Sequence, residues 1–157
     1  LWLVHWPPNK KASPAVWEQL IKAQQDGLAT SIGVSNYSLD QIDELIATTG
    51  VAPAVNQIRW SPALYDADLV AGLQQRGVIL EGYSPFKASD LSDPTLASIA
   101  AAYDANTAQV IVGWHVAHGF VVIPKSTRAE RIIGNAAGAH LQLSADEVAA
   151  IDRLSTA

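Results

Sequence analysis

The chain has 157 residues, 49% hydrophobic and 16% charged, with a net charge of −5 and no cysteine. Such a composition suits one packed domain, and the acidic balance argues against a general nucleic-acid surface. Without cysteine there are no disulfides, no zinc thiolate sites and no thiol nucleophile.

No apolar run approaches the roughly 18 residues of a membrane span. The opening lacks the charged–apolar–small layout of a secretory leader, so we expect a cytoplasmic protein. Methionine is absent and the chain opens inside an apolar run. On that basis we expect a piece of something longer.

Leu1 to Val4 reads as a fully buried strand running into His5-Trp6-Pro7-Pro8. Ser13-Pro14 looks like an N-cap followed by a first-turn proline, opening an amphipathic helix that stops near Gly27. Thr30 to Val34 is a second strand, leading into Ser35-Asn36. Ser38 and Gln41 have the spacing of a capping box for a helix to about Thr48, closed by Gly50. A third strand, Ala54 to Ile58, carries Asn56-Gln57. A helix over Asp66 to Gln75 ends at Gly77. The fourth strand starts at Val78 and extends to Tyr83, followed by Ser84-Pro85-Phe86.

A polar loop, Lys87 to Asp93, comes next. Asp93-Pro94 begins one helix and Ala108 to His118 forms another. Phe120 to Ile123 is the fifth strand, stopped by Pro124. Lys125-Ser126 follows, and Thr127 with Glu130 fits a capping box for a helix to about Asn135. Ser144 and Glu147 cap a last helix, Ala145 to Leu154. A helix start offers free N–H groups and partial positive charge. With Lys125, Arg128 and Arg131 around it, the start after Ile123 reads as an anion site, with phosphate the expected anion. The plainer alternative is a solvated helix start with routine surface cations.

Strand and helix alternate throughout, which predicts a parallel sheet of βαβ units. The repeat of about 31 residues matches a (β/α)8 TIM barrel of about 250 residues. About five units and a C-terminal helix are present, so residues 1–157 read as a single α/β domain, an incomplete barrel. An open doubly wound sheet is the other arrangement, but it usually shows a glycine-rich turn after its first strand. None is found here. Chemistry in such barrels gathers at the C-terminal strand ends, where this chain places His5, Ser35-Asn36, Asn56-Gln57, Tyr83-Ser84 and Lys125-Ser126.

These motifs resemble the C-terminal portion of the aldo-keto reductase family, from the fourth barrel strand onward. The matching stretches are Leu3-Val4-His5-Trp6-Pro7, Gly33-Val34-Ser35-Asn36-Tyr37, Asn56-Gln57, Tyr83-Ser84-Pro85-Phe86 and Ile123-Pro124-Lys125-Ser126-Thr127 with Glu130-Arg131-Ile132. They come in the family's order and cover essentially the whole chain.

The resemblance implies metal-free hydride transfer from NADPH to an aldehyde or ketone. By that resemblance His5 is the active-site histidine that orients the carbonyl, and Trp6 lines the substrate pocket. Ser35, Asn36 and Gln57 hold the nicotinamide carboxamide, and Tyr83 stacks on the ring. Ser84 and Phe86 belong to the loop over the pyrophosphate. Lys125, Ser126, Thr127 and Arg131 fall in the segment that grips the 2′-phosphate, and Asn135 lies near the adenine. Gly134 departs from the pattern, since glutamate is common there.

The family's tyrosine acid, aspartate and lysine belong to the first part of the barrel, and no residue here matches them. We therefore expect the missing N-terminal part as a partner, and an isolated chain without turnover. The alternatives are a nucleotide-binding half-barrel without catalysis, one that pairs with another half, or an unrelated phosphate-binding fragment.

Overall fold

The computed structural model describes residues 1–156; Ala157, the last residue of the expected domain, lies outside them. The strands are β1 (Trp2–Val4), β2 (Ile32–Ser35), β3 (Val55–Arg59), β4 (Ile79–Tyr83) and β5 (Val121–Ile123). They are parallel and follow one another in chain order, each hydrogen-bonded to the next. The helices are α1 (Pro14–Gln25), α2 (Leu39–Thr49), α3 (Ala67–Gln75), α4 (Pro94–Ala102), α5 (Thr107–Ala117), α6 (Ala129–Gly138) and α7 (Ala145–Asp152). The α/β alternation expected from the sequence is the fold observed.

Two compact units divide the chain. One comprises Leu1–Ile58 with Ala67–Glu81; the other comprises Arg59–Asp66 with Gly82–Ala157.

In the first unit, Val34 pairs with Asn56 and Ser35 with Gln57. Asn56 and Gln57 therefore stand inside β3 rather than at its end, yet level with the end of β2. Parallel strands in this unit are staggered, so a position in mid-strand reaches the same rim. Gly33 permits the close approach of these strands. A Cβ there would stand 2.8 Å from the Val55 carbonyl oxygen and 2.8 Å from Leu3 Cδ2. Helix α2 carries the full capping box, Ser38 with Gln41, and ends on Gly50 in the left-handed region (φ 73).

Two expectations fail in this unit. Ser13 makes no side-chain cap, although Pro14 does open α1. The strand at the start is not fully buried: Leu1 is 61% and Trp2 50% exposed. Among the described residues strand β1 pairs with β2 alone, which leaves that end of its apolar run uncovered.

The second unit is built around aromatic rings. Trp114 touches Tyr65, His115, His118 and Phe120, and His118 stacks on Phe120 at 4.9 Å. Asp152 of α7 ties this cluster down, accepting from Trp114 Nε1 and pairing with His118 Nε2, both at 2.8 Å. Helix α7 has the expected Ser144–Glu147 capping box.

Helices α5 and α6 pack closely because Gly138 faces α5. A Cβ on it would lie 2.8 Å from the Gln109 carbonyl oxygen. Arg131, Gly134, Asn135 and Gly138 share the i, i+3, i+4, i+7 face of α6. The contact made by Gly138 therefore also sets where Arg131 and Asn135 stand.

Candidate functional site

In the first unit the polar residues at the strand ends form one hydrogen-bonded cluster. Asn36 follows β2 with φ 61, a left-handed conformation that asparagine tolerates better than most residues. This turn brings its Nδ2 to Ser35 Oγ at 2.8 Å and to the His5 carbonyl oxygen at 3.4 Å. Ser35 Oγ in turn donates to the Gln57 carbonyl oxygen at 2.7 Å, and Gln57 Nε2 donates to Glu81 Oε1 at 2.9 Å. Asn56 is fully buried and holds the next turn, accepting from Tyr37 N and donating to Tyr37 O. Ser35, Asn36 and Gln57 are thus brought together. His5 contributes its carbonyl to the cluster, while its exposed ring meets Trp6 edge-on at 6.2 Å.

The second unit holds a groove in two parts. One cavity, of about 310 Å³, is lined by Tyr83, Ser84, Pro85, Phe86, Lys87, Ile123 and Lys125. The other, of about 340 Å³, shares Phe86 and Lys125 with it and adds Ser126, Arg131 and Asn135. Leu91, Gly134 and the start of α5 (Asn106, Thr107 and Ala108) complete its wall. Ser84 has φ 54, so a strained turn again follows a strand directly, as at Asn36. Such outliers point to places where backbone geometry serves a purpose beyond packing.

Two expectations about the start of α6 are corrected here. Thr127 does not cap α6: the helix starts at Ala129 behind Arg128, with no side-chain cap. The Arg128 amide instead donates to Ser126 Oγ at 3.1 Å, so Ser126 closes the turn one residue earlier. Thr127 lines neither cavity. Arg128 turns away to pair with Glu130 at 2.6 Å, leaving Lys125 and Arg131 as the cations on the larger cavity's wall.

Sequence reasoning missed Glu81 and the start of α5. Glu81 is an acidic residue in an apolar strand, which was the available signal. Asn106 and Gln109 form a capping box, and their spacing was readable too.

The tyrosines of the chain are engaged in different ways. Burial raises the Tyr37 hydroxyl above the usual range. Tyr103 donates to Glu147 Oε2 at 2.8 Å, and this bond to the carboxylate raises its pKa. Tyr65 lies against the rings of Trp60, Trp114 and His118.

The model of the Aldo/keto reductase family matches residues 1–156. A glyoxal reductase of Bacillus subtilis is 36% identical over 156 residues, covering 99% of this chain and 56% of that protein. An aldo/keto reductase structure from Brucella melitensis superposes with a TM-score of 0.89 at 36% identity, over 97% of this chain and 59% of the other. An aldo-keto reductase of Bombyx mori in complex with NADP gives a TM-score of 0.86 at 32% identity, over 98% of this chain and 56% of the other. The chain spans a little over half the length of the relatives it matches.

Proposed function

Since the chain belongs to the aldo/keto reductase family, we propose that it carries the cofactor site and one catalytic side chain of an NADPH-dependent carbonyl reductase. The observation that carries this reading is the cavity lined by Lys125, Ser126, Arg131 and Asn135. Its two cations and its hydroxyl suit the 2′-phosphate, which arginine can grip with two parallel hydrogen bonds. Asn135 offers a donor and an acceptor to the adenine edge. Gly134 leaves room beside it, since a Cβ there would meet nothing within 4 Å.

NADPH supplies the hydride. In the proposed site Ser35, Asn36 and Gln57 hold the carboxamide and Tyr83 stacks on the nicotinamide face. Ser84 and Phe86 cover the pyrophosphate, and Lys87, on the wall of the same cavity, offers it a positive charge. His5 donates a hydrogen bond to the carbonyl oxygen as negative charge develops there, and Trp6 lines the substrate pocket.

The new alkoxide also needs a proton. Tyr37, Tyr65 and Tyr103 stand in packed or hydrogen-bonded roles, so we assign none of them as donor. In the proposed complete enzyme the tyrosine, aspartate and lysine come from the first part of the barrel, and residues 1–157 alone do not turn over. A small aldehyde or ketone is the proposed substrate, which the glyoxal reductase among the relatives supports. A cytoplasmic location is part of the proposal. The second reading, a nucleotide-binding unit without turnover, needs only the cavity lined by Lys125, Ser126, Arg131 and Asn135.

The test is Arg131→Ala in a cofactor titration. Loss of a charge-assisted phosphate contact should weaken NADPH by about tenfold to a hundredfold. NADH, which lacks the 2′-phosphate, should change by less than about threefold on the same arithmetic. Equal losses for both cofactors would overturn the 2′-phosphate assignment.

A further inference from the structure

Glu81 is 6% exposed within β4, and its carboxylate accepts from Gln57 Nε2 at 2.9 Å. An ionised carboxylate has lone pairs and no proton to give. Of the two ends of the Gln57 amide, only the NH2 can answer it. Without such a partner, either end of a glutamine amide can face a ligand. Here Glu81 settles the choice: the NH2 is held toward β4, and Oε1 is the end left for a ligand.

The neighbouring groups have the same polarity. Asn36 Nδ2 donates to Ser35 Oγ at 2.8 Å, and Ser35 Oγ donates its own hydrogen to the Gln57 backbone carbonyl at 2.7 Å. The Asn36 and Ser35 hydrogens are thus engaged within the chain, and the Gln57 amide oxygen is an acceptor beside them.

We propose that Glu81 is a positioning residue that turns Gln57 into an acceptor, so that the cluster selects a ligand amide N–H and rejects a carboxylate in the same place. This rests on the nicotinamide reading and deepens it. The ligand class is a dinucleotide bearing a pyridine carboxamide, discriminated from its pyridine carboxylic acid counterpart.

The experiment uses the purified 157-residue chain, as wild type and as Glu81→Gln, a change that keeps the shape and removes the charge. Tryptophan quenching follows titration with NADP+, with its nicotinic acid analogue, and with adenosine 2′,5′-bisphosphate as a probe of the phosphate cavity alone. The wild type should prefer the carboxamide by about tenfold, the value of one well-placed hydrogen bond. In Glu81→Gln the new amide can donate or accept, Gln57 can turn over, and the preference should fall below about threefold. Affinity for the bisphosphate should stay the same.

A preference kept intact in Glu81→Gln would overturn the proposal. The ligand-free wild type gives a separate reading: the side-chain NH2 hydrogens of Gln57 should exchange slowly by NMR, and exchange at the free rate would overturn the proposal without any variant. If neither dinucleotide binds, the nicotinamide reading fails, and the Gln57 exchange rate alone decides the role of Glu81.

Discussion

His115 makes a pH prediction that can be worked through from its surroundings. It is fully buried, and its Nδ1 lies 2.7 Å from the Ile111 carbonyl oxygen. A carbonyl only accepts, so the neutral ring carries its hydrogen on Nδ1. Its Nε2 faces the Trp60 backbone and Gly82 without a hydrogen bond of good geometry. Burial pulls the pKa from 6.5 down to about 4, against the opposing effects of the Ile111 and Trp60 carbonyls and with a small push from His118.

The unfolded chain therefore binds a proton below about pH 6.5 that the folded chain refuses until about pH 4. The corresponding stability is present above the unfolded value and drains away as pH falls toward the folded one. Linkage gives a loss of about 2 kcal/mol at pH 5 and about 3 kcal/mol in full. The carboxylates of Asp43 and Asp90 are held low by Arg76 and Ser92, and that of Glu147 by the Ser144 amide. Their contributions are lost only below about pH 4.5, which leaves a clear window for the histidine.

Urea unfolding at pH 7, 6 and 5, with coincident fluorescence and circular dichroism transitions as the two-state check, measures this loss. His115→Gln should be less stable at pH 7 but should lose about 2 kcal/mol less than wild type on going to pH 5. Parallel losses in the two proteins would refute the reasoning.

Two glycines give further tests. Gly33→Ala drives a Cβ to 2.8 Å from the Val55 carbonyl oxygen. It should destabilise by about 1–3 kcal/mol through overpacking, read by urea midpoint, and an unchanged midpoint would contradict the tight strand approach. Gly134→Ala sits in open space within α6; it should stabilise by about 0.5–1 kcal/mol, seen as a higher melting temperature.

Local signals in the sequence were reliable where one side chain meets one backbone group. The pairs Ser38 with Gln41 and Ser144 with Glu147 form the boxes their spacing announces. Thr127 with Glu130 has the same spacing and fails, because α6 begins at Ala129 with Arg128 at the cap position, and the Glu130 carboxylate pairs with the Arg128 guanidinium.

Burial was less legible. Leu1 to Val4 has the composition of a buried strand, but with one neighbour among the described residues it leaves Leu1 and Trp2 exposed. The placing of polar side chains was legible at strand ends, as at Ser35 and Tyr83, which close β2 and β4, and Lys125, just past β5. It was not legible where a helix start from elsewhere in the chain, Asn106 to Ala108, closes a cavity. Nor was the pairing of Gln57 with Glu81, which depends on which strands lie side by side.

The most direct test of the central claim is a fluorescence titration of the purified 157-residue chain with NADPH, with NADH alongside. The account predicts saturable binding that favours NADPH by about tenfold or more, the value of the phosphate contacts proposed for Lys125 and Arg131 on the cavity wall. Binding that does not distinguish the two cofactors, or no binding at all, would contradict it.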